Sequence, residues 1–242
     1  MNTPQPTGAV QALRSGRTRQ DPQALQAASA LHALQSPTAP TVLPIAPIAP
    51  LERLLMRNLH AHRALFAQLE ALADDICAAG AAMAAALASG GRLYFFGNGG
   101  SASDSQHLAA ELSGRLRQER GPLAAMALTA DSAAMTAIAN DYGYEQVFAR
   151  QLGAYGRPGD CAVGISTSGD SPNVLRALDA ARAAGMTCIG LLGRSGGAAL
   201  ALADHAVVVP AQDSARIQEA HIFIGHTWCG QIEQALGLVP PG

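Results

Sequence analysis

Two side chains set four residues apart, His107 and Glu111, are the first candidates for chemistry, because on a helix that spacing puts an imidazole and a carboxylate side by side. Such a pair can move a proton. The stretch Gly97-Asn98-Gly99-Gly100-Ser101-Ala102-Ser103-Asp104-Ser105 leads into it from the apolar run Arg92 to Phe96, which reads as a buried strand. A strand-to-helix turn of this kind binds anions: its glycines admit a ligand close to the backbone, the first helical N–H groups point outward, and Ser101, Ser103 and Ser105 offer hydroxyls. The spacing of Gly97, Gly99 and Gly100 is not G-x-G-x-x-G, and no acid follows at the separation that binds a ribose, which disfavours a dinucleotide.

A second such turn is Ser166-Thr167-Ser168-Gly169-Asp170-Ser171-Pro172-Asn173, with Ser171 suited to the N-cap and Pro172 to the first helical position. Its hydroxyls either hold a phosphate or cap the helix and face water. His107 with Glu111 has an equally plain alternative, an exposed bonded pair on an amphipathic helix, although their place just after an anion loop favours chemistry. The last apolar segment carries Arg216, Gln218, Glu219, His221 and His226, with Gln218 and His226 about 80° apart around a helix axis. These two can share a face. His226, within Ile222 to Trp228, also fits a satisfied core histidine, and His205 and His221 read as structural.

The elements that must position these groups alternate along the chain. Strands are predicted over Arg92–Phe96, Leu123–Leu128, Cys161–Ile165, Thr187–Leu192 and His205–Val209. Helices are predicted over Ser101–Ser113, Asp131–Ala139, Tyr144–Tyr155, Ser171–Ala184 and about Asp213–Leu236, with a Gly-rich turn and short helix before His205. This order predicts an α/β fold, a three-layer αβα sandwich around a five-stranded parallel sheet, with ligands at the carboxyl ends of the strands. Ahead of it, Leu51 to Ser89 lacks proline and has helical spacing at Leu65, Phe66, Leu69, Leu72 and Ile76, with a break expected near Gly80. Residues 1–50 hold eight of the 14 prolines and read as a disordered Pro/Ala/Gln-rich tail, with a short helix possible over Pro22–Leu34 and extended Ile-Ala-Pro repeats after it. Residues 51–242 form the folded domain.

Composition narrows the chemistry. Of 242 residues, 49% are hydrophobic and 14% charged, enough apolar chain for a full core. All 16 basic residues other than histidine are arginine, so Schiff-base catalysis and a Walker-loop lysine are excluded. The net charge of −2, without a basic run, gives no reason to expect nucleic acid or an anionic membrane. Cys77, Cys161, Cys188 and Cys229 show no paired spacing and read as core residues in a reducing compartment. No uninterrupted segment of membrane-spanning length and no secretory h-region is seen, so a cytoplasmic location is expected. Arg14, Arg17 and Arg19 superficially suit a transit peptide, but Pro4, Pro6 and Pro22 oppose its amphipathic helix.

Taken together, Gly97-Asn98-Gly99-Gly100-Ser101, Gly114-Arg115 after Glu111, Asn140-Asp141-Tyr142-Gly143, Gly164 to Gly169, and Arg216-Ile217-Gln218-Glu219-Ala220-His221 through His226 closely resemble the phosphoheptose isomerases. The resemblance covers about residues 51 to 238. It implies a sugar-isomerase (SIS) domain of flavodoxin-like fold that converts sedoheptulose 7-phosphate to D-glycero-D-manno-heptose 7-phosphate through an enediol, the entry to bacterial envelope heptose. It also implies that Asn98, Gly99, Gly100, Asn140 and Asp141 line the sugar site and that Ser166, Thr167, Ser168 and Ser171 hold the phosphate. By the same resemblance Glu111 and His226 are the acid/base pair, His107, Glu111, Gln218 and His226 bind zinc, and the assembly is a homotetramer. Where some members have an aspartate three residues before Gln218, this chain has Ala215, which removes one expected sugar contact. Two alternatives stand beside this: a non-catalytic SIS adaptor that binds the replication initiator, and an SIS isomerase of another phosphosugar. The adaptor group lacks the acid/base pair that Glu111 and His226 match.

Overall fold

A computed structural model of the chain describes residues 47–240. The expected tail and the helix over Pro22–Leu34 lie outside them, save that the boundary falls earlier than Leu51. Helix α1 spans Ile48–Phe66, and Pro50 sits in its first turn, where a missing N–H costs no helical bond. The Ile-Ala-Pro stretch is thus helical, not extended, from Ile48 onward. The order then runs α2 Ala73–Ala88, β1 Leu93–Gly97, α3 Gly100–Ser113, β2 Ala125–Ala127, α4 Ser132–Tyr142, α5 Ala149–Tyr155, β3 Cys161–Ser166, α6 Pro172–Ala183, β4 Thr187–Gly193, β5 His205–Val209 and α7 Ser214–Ala235.

Strand β1 is buried along its whole length. Its side chains alternate between two cores: Leu93 and Phe95 meet Met83, Leu108, Ile224 and Trp228 on one face, while Tyr94 and Phe96 meet Phe148, Leu152, Val174 and Leu178 on the other. Burial on both faces explains the unbroken apolar runs of the sequence. Helices α2, α3 and α7 cover the first face and α4, α5 and α6 the second, giving the expected three layers. The sheet is parallel throughout, in the order β2-β1-β3-β4-β5. The chain therefore steps outward from β1 to β2, then returns past β1 to β3. That reversal opens a crevice between the carboxyl ends of β1 and β3, the place where open α/β sheets bind ligands.

The helical stretch before β1 breaks elsewhere than expected. The interruption is a short 3₁₀ turn at Leu69–Leu72, whereas Gly80 lies inside α2. Gly80 is a contact residue: a Cβ there would collide with the Gln231 carboxamide and come within 3.3 Å of Trp228. Trp228 in turn donates its indole N–H to the Ile76 carbonyl at 2.9 Å. The combined stretch from Ala49 to Ala88 is, by length and composition alone, long and apolar enough to cross a membrane, contrary to expectation. Its second half buries Ile76, Ala79 and Met83 in the core of the domain. The expected helix Tyr144–Tyr155 is also two pieces, a 3₁₀ turn over Tyr144–Gln146 and α5, separated by the fully buried Val147 and Phe148. Of the four free cysteines, Cys161, Cys188 and Cys229 are buried as expected and Cys77 is exposed.

His221, completely buried on α7, donates Nε2–H to the Leu192 carbonyl at 2.9 Å, tying the helix to β4. Burial pushes its pKa from 6.5 down to about 4, against the upward pull of the carbonyl bond. The sign follows directly: above pH 6.5 both folded and unfolded chains hold the ring neutral, and below it only the unfolded chain gains the proton. Stability from this group is thus lost as pH falls from 6.5 toward 4, by about 3 kcal/mol in all. Urea midpoints measured across that range should fall, and His221→Gln should flatten the slope. An unchanged slope in the variant would assign the acid sensitivity to other groups.

Candidate active site

The crevice is built tightly at its base. Gly97 pairs in register with Ile165, and a Cβ on it would lie 2.6 Å from the Ile165 carbonyl oxygen and 2.7 Å from Ser101 Cβ. Next to it, Asn98 and Asn173 form a reciprocal amide pair across the crevice, each side-chain N–H₂ donating to the other's oxygen at 2.8 Å. Tyr144 adds a hydroxyl donor to Asn98 Oδ1 at 3.2 Å. Gly99, at a φ of +57°, makes the turn into α3. Ser101 and Ser105 are buried, and Ser105 donates to the Ser101 carbonyl, so these two hydroxyls face the packed side of α3 and only Ser103 of the three is exposed.

On the other wall, the hydroxyls of Ser168 and Ser171 each lie 3.4 Å from that of Ser166. Thr167 and Ser214, the latter from the start of α7, are likewise 3.4 Å apart. Gly169, at a φ of +72°, donates its N–H to Ser166 Oγ at 3.0 Å and closes the loop. Ser171 occupies the N-cap of α6, yet its side chain makes no capping bond. The hydroxyl cluster lies just after β3, beside the N-terminus of α6, which favours an anion. Ser171→Ala should accordingly weaken phosphate-ester binding about 10-fold or more, the worth of a hydrogen bond to a charged group, and leave the melting temperature unchanged. Asp213→Ala, which removes a side chain that does cap α7 through Ala215 N–H, should cost about 1 kcal/mol of stability. Thermal melts and phosphate titration of both variants separate the two roles.

The acid/base candidates meet where α3 crosses α7. His107 Nε2 lies 3.4 Å from Glu111 Oε1 and 2.8 Å from His226 Nε2, with the two rings edge to face. One ring supplies N–H and the other a lone pair. The ligand atoms of His107, Glu111 and His226 all lie within 4.8 Å of one another. Two imidazoles and a carboxylate at that separation are the three-ligand donor set of a catalytic zinc site, so the residues fit such an ion. The Gln218 carboxamide rests on Gly100, where a Cβ would lie 2.7 Å from Gln218 Cδ. Asp104, one turn before His107, is pushed up to about 6 by burial, with His107 pulling it down.

Asn140 and Asp141 end α4, both exposed, with Asn140 donating its amide to Asp141 Oδ1 at 2.8 Å. The turn at Gly143 after them is what carries Tyr144 to Asn98. Glu219, beside Gln218, is held by His62 at 2.8 Å and by Arg216, which also donates to the Asn58 carbonyl, so this part of the motif fastens α7 to α1. Ala215 is exposed. Asn173, Tyr144 and Ser214 are contributors that sequence reading did not single out. Only Asn173 carried a local signal, its place directly after Pro172 in the hydroxyl loop.

The reversed parallel sheet flanked by helices is the fold of a SIS domain, and the SIS-domain family matches residues 59–193. The phosphoheptose isomerase of Paramagnetospirillum magneticum is 58% identical over 147 residues, 61% of this chain and 77% of that protein. That of Campylobacter jejuni serotype O:6 is 49% identical over 181 residues, 75% of this chain and 97% of its own length. Among solved structures, the phosphoheptose isomerase of Neisseria gonorrhoeae superposes with a TM-score of 0.71 at 42% identity, covering 76% of this chain and 98% of that one. The chain belongs to the phosphoheptose isomerase family.

Proposed function

We infer that this protein interconverts sedoheptulose 7-phosphate and D-glycero-D-manno-heptose 7-phosphate, the step that opens heptose supply for the bacterial envelope. The observation that carries this reading is the convergence within 4.8 Å of His107 and Glu111, on the helix that leaves the Gly97–Gly100 turn, with His226 on α7. The reaction moves a proton between adjacent carbons. Glu111 takes the proton from the carbon beside the ketose carbonyl while His226 gives a proton to the carbonyl oxygen, forming the enediol; the return transfers, to the neighbouring carbon and from the new carbonyl's hydroxyl, leave the aldose. His107 is bonded to His226, one ring supplying the N–H and the other the lone pair.

Ser166, Thr167, Ser168 and Ser171 bind the phosphate, and Asn98, Gly99, Gly100, Asn140, Asp141 and Gln218 line the sugar. When bound by His107, Glu111, Gln218 and His226, zinc supplies Lewis-acid polarisation of the sugar's carbonyl and hydroxyl oxygens. A homotetramer is supported by the exposed Leu54, Leu55, Met56 and Leu59 along α1, an apolar face suited to another subunit. Three buried free thiols support a reducing, cytoplasmic setting.

Incubation with sedoheptulose 7-phosphate in D₂O, with and without zinc, tests the reading by NMR. Deuterium at the carbon next to the carbonyl should accompany aldoheptose product. Neither signal, under either condition, would replace the enzyme by a binding protein.

A further inference from the structure

We propose that Arg120 and Glu233 are positioning residues that set the distance between the two acid/base helices, an inference that rests on Glu111 and His226 as the acid/base groups. Arg120 lies in the irregular segment between α3 and β2, among Arg115, Arg117 and Glu119, which face solvent. Its own side chain is only 2% exposed, and that of its partner Glu233 only 4%. Every branch of the guanidinium is bonded: to the end of α3, to α7 and, through Nη1, to the Gly121 carbonyl at 3.0 Å. Nε donates to Glu233 Oε1 at 2.9 Å, Nη2 to the Glu111 carbonyl at 2.8 Å, and Nη1 to the carbonyls of Leu112 at 2.6 Å and Gly114 at 2.9 Å. The last carbonyls of a helix have no helical donor, and its C-terminus favours a cation. Arg120 thus caps α3 at the residue that bears the base. Glu233 follows His226 on α7 by seven residues, two turns and about 10 Å along the same helix face. A single rigid fork therefore joins the base's backbone to the acid's helix.

Stability alone does not account for such a pair, since buried ion pairs are commonly replaced by apolar residues without loss. The double variant Arg120→Leu/Glu233→Met removes both charges together and should still fold, with a melting temperature lowered by the α3 carbonyls it leaves without a donor. Its kcat should nevertheless fall about 10- to 100-fold with KM little changed, the cost of misplaced reacting groups. The histidine-ring ¹⁵N correlations should also lose the Nε2-to-Nε2 bond between His107 and His226. Arg120→Lys keeps the charge without the fork, and supplies the same two readouts if the double variant does not fold. Leu178→Ala, a core truncation on the opposite face of the sheet, controls for general destabilisation and should lower the melting temperature with kcat unchanged. Wild-type kcat and ring signals in the double variant would overturn the proposal, as would an equal loss of kcat in Leu178→Ala. If the wild-type protein did not turn over sedoheptulose 7-phosphate, the functional reading would fall, while the ring signals would still decide whether the pair holds the two helices in place.

Discussion

Glu111→Gln should lower turnover of sedoheptulose 7-phosphate by about 10²- to 10⁴-fold, the usual worth of a positioned acid or base. The substitution keeps the size of the side chain and an oxygen able to accept from His107, now 3.4 Å from the carboxylate, so the melting temperature should hold. What it removes is the capacity to take a proton. Deuterium uptake from D₂O should therefore fall in parallel with product formation, because both need the same proton to leave carbon. His226→Gln should lose activity in the same range. The two groups act as one unit, so the double variant should be little worse than either single one. A Glu111→Gln protein with wild-type exchange would remove this residue from the mechanism and direct attention to His107 or Asp104.

The second large effect is expected at a residue with no functional group. Gly169→Ala should unfold the loop Ser166–Ser171 locally, because its φ of +72° disfavours a Cβ and that Cβ would collide with the Gly196 carbonyl. The left-handed backbone alone costs about 1–2 kcal/mol, and the collision adds to it. The N–H that Gly169 gives to Ser166 would move with the loop. Binding of inorganic phosphate, followed by calorimetry, should become undetectable while urea midpoints drop. Gly153→Ala is the control: nothing lies within 4 Å of a Cβ there, and the position is helical, so stability should hold or rise by up to about 1 kcal/mol. If Gly169→Ala bound phosphate normally, Gly169 would be a turn residue and the hydroxyl loop would close without it.

Local pattern was enough for the strands. His205–Val209 is read from sequence with its observed bounds, and the ends of the other strands shift by at most two residues, because parallel strands carry their apolar runs in plain view. The pairing of the two loops also follows from sequence, through the alternation of strands and helices. Gly80 is where local reasoning failed: glycine lowers helix propensity, but here it makes room for Trp228 and Gln231, more than 140 residues later in the chain. Likewise nothing near Leu69 marks the real break, which lacks both glycine and proline. Asn173, Tyr144, Ser214, Arg120 and Glu233 gain their meaning from partners 46 to 113 residues away, or from a helix end whose carbonyls need a donor. The meeting of His107 with His226, 119 residues apart, was reachable only through likeness to known proteins.

Helix α3 begins in the anion loop at Gly100 and carries Glu111 near its other end. Its length between those points is a fixed register. Inserting or deleting one residue between Gly100 and His107 would turn every later side chain by about 100° around the axis and slide it by about 1.5 Å, sending Glu111 and His107 away from His226 together. Substitution within the segment changes one side chain at a time, whereas a length change breaks the whole relation between loop and proton transfer. Evolution can therefore rewrite exposed letters between Gly100 and Glu111, such as Ser103 and Ala110, but not their number, while the irregular segment after Gly114 is free to grow wherever Arg120 still reaches Glu233.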